Sequence, residues 1–296
     1  MAPQQAGGGR RIASLLGHRQ VDMAVLCLGS LLRRSAEPLA LRLHDDGTLT
    51  EADRERLAGE LDGPEVVSRA EADERVADAL APYPILRAYR RESPLALKLV
   101  DAALLAGEEL AYCDADVLFL CPFAGLFRLE DGAGALFMSD RQNAYSVRSW
   151  HLLRHRRLRL PRRVNTGIVV FRTAAWDPDL LSWYLARPEF AFAPVWREQT
   201  AWALLGGKGG CRLLDPAQVA IPELEAAPRL GPVALHFVGP VRSRLSAWAP
   251  LTGDGGAPEA VRSRPARPCR AVDLASDEAR RVLRRLVGRQ AHEPPR

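Results

Sequence analysis

Lysine is nearly absent from this chain: Lys98 and Lys208 are the only two among 41 Lys and Arg residues. So strong a bias toward arginine reflects codon composition, and it makes each surviving lysine a position to explain. Cysteine is also sparse, five residues with no CxxC spacing, which argues against structural zinc and for a reducing compartment. Cys27, Cys113 and Cys121 sit in apolar runs and read as small core residues. Aromatics make up only 6%, and a net charge of +5 is spread along the chain, so there is no footprint for nucleic acid. No apolar run approaches the roughly 18 residues that span a bilayer. "MAPQQAGGGRR" has no signal-peptide core, and the protein is expected to be cytoplasmic.

What is present is a core. At 296 residues and 47% hydrophobic, the chain can build one large α/β domain. Residues 1–9 read as a disordered leader and 10–249 as the domain. Residues 250–270, rich in Gly, Pro and Arg, read as a linker, and 271–296 as a basic helix with a tail. Within the domain, "RIASLL", "EPLALRL" and "EVVS" read as strands alternating with helices such as "VDMAVLCLGSLLRR" and "TEADRERLAGEL". Thr50 and Asp53 open the latter as a capping box. The alternation predicts a doubly wound, Rossmann-like, mostly parallel sheet with helices on both faces and the ligand beyond the carboxyl ends of the strands.

The stretch "LAYCDADVLFLCPF" (110–123) places Asp114 and Asp116 inside an apolar run. Desolvating unpaired carboxylates costs several kcal/mol, roughly, so this pair needs a partner. In extended backbone, residues i and i+2 point the same way, so both can converge on one cation. Mg²⁺ or Mn²⁺ satisfies two carboxylates and can also grip a diphosphate. A turn with two solvated Asp residues is the competing reading.

"SPLALKLVDAALLAGEELAYCDADVLFLCPF" resembles the donor-binding core of GT-A-fold glycosyltransferases, notably the glycogenin-like, galactosyltransferase-like (family 8-like) group. Three later stretches agree in order. "RRVNTGIVVFR" resembles that group's Asn-x-Gly motif, "WREQTAWALL" its helix opening with an acidic residue and Gln, and "LHFVGPVR" its His-Phe-x-Gly-x-x-Lys motif, with Arg242 in place of Lys. The resemblance covers residues 93 to 244 and stops near 250.

It implies a hexosyltransferase-type enzyme using a nucleotide-diphosphate sugar, UDP-sugar favoured, and a divalent metal. Asp116 and His236 would ligate the metal, and Asp114 would reach the metal or the donor ribose. Gly239 lets backbone close over a pyrophosphate, and Arg242 supplies a charge-assisted phosphate contact. Lys98 occupies a position where similar enzymes put a basic residue against the nucleotide; a snorkelling surface lysine is the alternative. Gly17 and His18 follow the first strand, where the family binds the base. Asp45 and Asp46, in "HDDGT", match a uracil-contacting turn of another GT-A branch, although a plain β-turn before a capped helix explains them equally. Asp140 and Gln199 are candidates for sugar contacts, and Asn165 and Gly167 for a loop pressed against the ligand. Asp140 or Glu198 could act as base, leaving retention or inversion open; a Glu at a helix N-terminus is also favoured by the dipole alone.

A haloacid-dehalogenase-type phosphatase also uses Asp-x-Asp after a strand, but "DADVLFL" and Pro122 offer little of its downstream pattern. A nucleotidyltransferase needs a glycine-rich basic loop that "LLGHRQ" lacks. A GT-A-like subunit that binds nucleotide or glycan without turnover is the third alternative. The acceptor is expected to be a glycan, a lipid-linked sugar or a small molecule. The basic segment from Arg148 to Arg163 reads as a solvated face, compatible with weak peripheral membrane contact.

Overall fold

The computed structural model describes residues 9–251 and 256–290. Most of the expected leader, the tail beyond residue 290 and residues 252–255 of the expected linker lie outside the described residues. The first half winds as expected: β1 (Arg10–Leu16), α1 (Val21–Arg34), β2 (Leu39–Asp45), α2 (Glu51–Glu60), β3 (Glu65–Val67) and α3 (Arg69–Leu80). Thr50 caps α2 and accepts from the Asp53 N–H at 3.2 Å, while Asp53 reaches back to the Thr50 N–H at 2.8 Å. α4 (Pro84–Glu92) and α5 (Leu95–Leu104) then lead into β4 (Glu109–Cys113).

The second half is less regular. It runs β5 (Val117–Phe119), β6 (Phe123–Ala124), β7 (Ala135–Ser139), α6 (Ser149–Arg154), β8 (Val164–Arg172), α7 (Pro178–Leu185) and α8 (Arg197–Gly206). It continues β9 (Cys211–Leu214), β10 (Val219–Ala220), β11 (Ala234–His236), α9 (Leu245–Trp248), β12 (Glu259–Ala260), β13 (Ser263–Pro265) and α10 (Ala271–Gln290).

Eight strands form the central sheet in the order β13-β9-β7-β8-β4-β1-β2-β3. The sheet is more mixed than the alternation predicts. β1 runs parallel to β2 and β4, β2 to β3, and β7 to β9, but β8 is antiparallel to both β4 and β7, and β13 to β9. The cause is visible in β8: it is buried from Val164 to Phe171, and a continuous apolar run of this kind is what a parallel strand shows, so its antiparallel direction is hidden. The expected linker also differs. β12 pairs with β6, and β13 forms the edge of the main sheet, with Arg162 N–H and Cys269 N–H tying the following turn to the domain. Backbone pairing needs no apolar side chains, so a Pro- and Arg-rich edge strand escapes pattern reading.

Two features of this frame fix the site. Trp202 of α8 is fully buried, with ring centroids 5.2 Å from Phe171 and 6.5 Å from Phe137, so α8 is bolted to the sheet by its middle turn. Its first turn is thereby held beside β8. Between β7 and β8 the register breaks: Phe137 faces Val169 but Met138 faces Asn165, leaving Thr166, Gly167 and Ile168 without β7 partners. A bulge of this kind re-aims backbone and side chains near the end of a strand.

Candidate active site

Beyond the carboxyl end of β4 the chain turns through Asp114, Ala115 and Asp116 into β5. Backbone pairing on both sides places this turn. The Asp114 N–H donates to the Gly167 carbonyl at 2.7 Å, and the Phe237 N–H donates to the Asp116 carbonyl at 2.8 Å. β5 and β11 are antiparallel with Val117 opposite His236, so His236 is delivered to the two carboxylates from 120 residues away in the chain.

His236 Nε2 lies 3.1 Å from Asp116 Oδ1 and 3.7 Å from Asp114 Oδ2. Its Nδ1 meets Asn165 Oδ1 at 2.9 Å, and that oxygen also accepts the Gly167 N–H at 2.9 Å. An amide oxygen can only accept, so Nδ1 donates to Asn165. Nε2 is the nitrogen left facing the two carboxylates, where it donates to Asp116 when protonated and is free to ligate a metal when neutral. One ligand atom from each of Asp114, Asp116 and His236 falls within 4.8 Å of the others. Gly167 is required for this approach: a Cβ there would stand 2.4 Å from His236 Nδ1.

Cations surround the pair. Arg242, half exposed on the 3₁₀ turn Gly239–Arg244, donates to Asp116 Oδ2 at 2.6 Å. Burial alone would raise the Asp116 pKa, but His236 and Arg242 outweigh it and hold the carboxyl down at about 2. Burial likewise pulls His236 toward neutrality, and the Asp116 carboxylate reverses the direction and keeps its pKa above the ordinary value. Gly239 sits at φ +60 with open space where a Cβ would point, so its role is the turn itself.

Lys98 is no surface lysine. It is 2% exposed on α5, and its Nζ donates to both Asp114 oxygens at 3.0 and 3.1 Å and to the Thr166 carbonyl freed by the bulge. Glu198 Oε1 lies 3.8 Å away and has no hydrogen-bond partner, while Oε2 accepts from Thr166 Oγ1 at 3.2 Å. Burial pushes the Glu198 carboxyl up to about 7, against the pull of Lys98. Gln199 donates to the Ala144 carbonyl at 2.8 Å and accepts from Asn165 at 3.4 Å. Asn165 also donates to Asp140 Oδ2 at 3.2 Å, and burial raises the Asp140 pKa. Asn165 thus joins Asp140, Gln199, Gly167 and His236 in one network.

The structure does not draw all the sequence candidates into that network. Asp45 is turned inward, its Oδ1 accepting from the N–H groups of Gly47, Thr48 and Leu49 at 2.8 to 3.1 Å and its Oδ2 pairing with Arg54 at 2.5 Å. Asp46 bonds Thr48 and packs against Gly17, where a Cβ would meet its carboxylate at 2.3 Å. His18 is exposed and pairs with Asp53 at 2.8 Å. Asp45 ends β2 and the other three residues lie just past the ends of β1 and β2, a patch beside the carboxylates rather than among them. Sequence reading overlooked Tyr112, whose hydroxyl donates to Asp114 Oδ1 at 2.8 Å and accepts the Leu15 N–H at 3.2 Å. The available signal was its position, i−2 from Asp114 on the same face of β4. Thr166, between Asn165 and Gly167, was missed because a Thr in a strand attracts no notice.

No protein-family model matches the chain, and no curated protein sequence does. Solved structures do. Mouse xyloside xylosyltransferase 1 aligns over 77% of this chain and 97% of its own, at 12% identity and a TM-score of 0.51. The galactosyltransferase LgtC, in a complex with donor and acceptor sugar analogues, aligns over 82% and 95% at 14% identity and TM-score 0.48. The Mn/GDP form of core-mannan synthase A from Aspergillus fumigatus aligns over 71% and 72% at 11% identity and TM-score 0.43. The chain has the GT-A glycosyltransferase fold.

Proposed function

We propose that this protein is a metal-dependent glycosyltransferase that moves a sugar from a nucleotide-diphosphate donor, a UDP-sugar by preference, to an acceptor hydroxyl. The observation that carries the reading is the convergence of Asp114, Asp116 and His236 beyond the carboxyl ends of the strands. Two carboxylates and an imidazole whose second nitrogen is tied down suit Mn²⁺ or Mg²⁺. A metal held there supplies positive charge against the leaving diphosphate.

The chain's own residues do the rest. Arg242, half exposed and hinged on Gly239, can pass from Asp116 to a phosphate oxygen as the donor arrives. Lys98 and Tyr112 hold Asp114 in one orientation toward the metal or the ribose. Asp140, Asn165 and Gln199 form a polar wall suited to sugar hydroxyls. Glu198, with one unpartnered oxygen and a pKa near neutrality, is suited to take a proton from the acceptor or to steady charge developing on the sugar. The GT-A fold favours this reading over a haloacid-dehalogenase-type phosphatase.

The test is thermal unfolding with UDP, GDP, ADP and TDP, each with and without Mn²⁺, on wild type and Asp116→Ala. One nucleotide should raise the melting temperature only with metal, by mass action, and the variant should lose that response. Turnover of the matching donor to free nucleoside diphosphate should fall about 10³-fold in the variant. If no nucleotide shifts the wild type, the donor-site reading fails.

A further inference from the structure

A third of the large apolar side chains that the described residues leave exposed lie on two adjoining segments. Trp150 and Leu153 come from α6 and Phe192 and Val195 from the segment before α8, and α10 packs against both. Three contacts join these separate segments. Arg148 lies between the rings of Trp150 and Phe192, at 5.0 and 3.5 Å; Glu278 of α10 accepts from the Ser149 N–H at 3.0 Å; and Arg281 stacks on Trp196 at 4.8 Å. Leu153 and Val195 are 76% and 69% exposed, which a solvated face does not explain.

The rim is positive. Arg154, Arg156, Arg157 and Arg159 are exposed, and no ion pair to a described residue neutralises any of them. Between Arg148, Arg154 and His155 opens a cavity of about 520 Å³ walled by Trp150 and Phe192, with Glu189 as its single carboxylate. Among the described residues no helix is long and apolar enough to cross a membrane. An indole and branched alkyl groups within a ring of arginines match a bilayer interface, where Trp sits at headgroup depth and guanidinium groups meet lipid phosphates.

We propose that this face docks the protein on an anionic phospholipid surface, Trp150, Leu153, Phe192 and Val195 entering the interface and Arg154, Arg156, Arg157 and Arg159 holding the headgroups. This goes beyond the glycosyltransferase reading and stands without it. The two are neighbours, since the segment from Asp140 to Arg148 runs from the site to the patch and Gln199 holds its Ala144 carbonyl. Docking would bring the site to an acceptor carried by lipid.

The test is co-sedimentation of the full chain with phosphatidylcholine vesicles and with vesicles that also contain phosphatidylglycerol. Trp150→Ser/Leu153→Ser and Arg154→Gln/Arg156→Gln/Arg157→Gln are run beside the wild type. Wild type should partition onto the anionic vesicles, less so at high salt, and remain free of the neutral ones. The triple arginine change should weaken partition about 100-fold and the apolar pair about tenfold. Wild type that stays in the supernatant with anionic vesicles overturns the proposal, as does an apolar variant that binds undiminished. Self-association through this face in place of vesicle binding overturns it too. The nucleotide-dependent melting shift, measured on the same preparations, should be unchanged in both variants; its absence from the wild type would count against the donor site and not against docking.

Discussion

Two acidic doublets lie at strand ends on the same edge of the sheet, Asp45-Asp46 closing β2 and Asp114-x-Asp116 after β4, and they are satisfied in opposite ways. Asp45 is closed by its own neighbours: three N–H groups within four residues and Arg54 nine residues on. Asp114 and Asp116 draw their partners from Lys98, Tyr112, His236 and Arg242, up to 126 residues distant. A carboxylate that its own turn satisfies is a device of the backbone. Carboxylates that need four side chains from four elements mark a place where charge has been concentrated, and concentrated charge is what a metal–diphosphate requires.

The largest effect should come from the cation that holds the second doublet. Lys98→Met leaves Asp114 and Glu198 without their shared ammonium in a buried setting, and removal of one partner of such a group costs about 3–5 kcal/mol. Because Glu198 can escape by binding a proton, chemical denaturation at pH 7 should show a loss of about 4 kcal/mol that shrinks at pH 5. A loss below 1 kcal/mol would make Lys98 as peripheral as a capped surface residue.

Glu198 sharpens the same contrast through pH. Its folded-state pKa of about 7 lies above the ordinary 4.5, so the folded chain retains a proton that the unfolded chain releases. The associated stability is fully present below about pH 4.5 and is lost as pH rises through 7, up to about 3 kcal/mol. In metal-free buffer, Glu198→Gln should flatten that part of the stability curve. Superimposable curves would mean that Lys98 keeps Glu198 ionised. Gly167→Ala acts on geometry instead. Its Cβ must push the buried His236 ring aside, so donor turnover should fall about 10²-fold while stability drops by only about 1–3 kcal/mol.

The second doublet was legible because its chemistry is at odds with its surroundings: charge inside an apolar run demands an explanation, and His236 followed from the motif around it. Lys98 stood out only through rarity, and the sequence left its burial undecided. Thr166 was invisible and Tyr112 carried only its spacing from Asp114, since a tyrosine and a threonine fit a strand without further cause. At the level of the fold, the alternation of β1 to α3 could be read directly. The direction of β8 could not, because a strand buried on both faces reads as a parallel one, and neither could β12 and β13, which pair through backbone and polar side chains with no apolar pattern. α4 went unread although it buries Leu86, Tyr89 and Arg90 on one face, because nine residues give a stripe little more than two turns in which to repeat.

The smallest expected effect tests the other side of the comparison. Asp45→Asn keeps an acceptor for the turn but replaces a charge-assisted bond to Arg54 with an amide that faces a guanidinium, at a cost of about 1–2 kcal/mol. If the first doublet is a backbone device, thermal unfolding should show that loss while the metal-dependent response to nucleotide keeps its size. Asp46, whose carboxylate closes on Gly17 and Thr48, is the neighbour through which a base could still be felt. An Asp45→Asn variant that unfolds like wild type but responds to nucleotide weakly would reverse the assignment. The turn would then belong to the donor site, and local satisfaction would cease to separate structural carboxylates from functional ones in this fold.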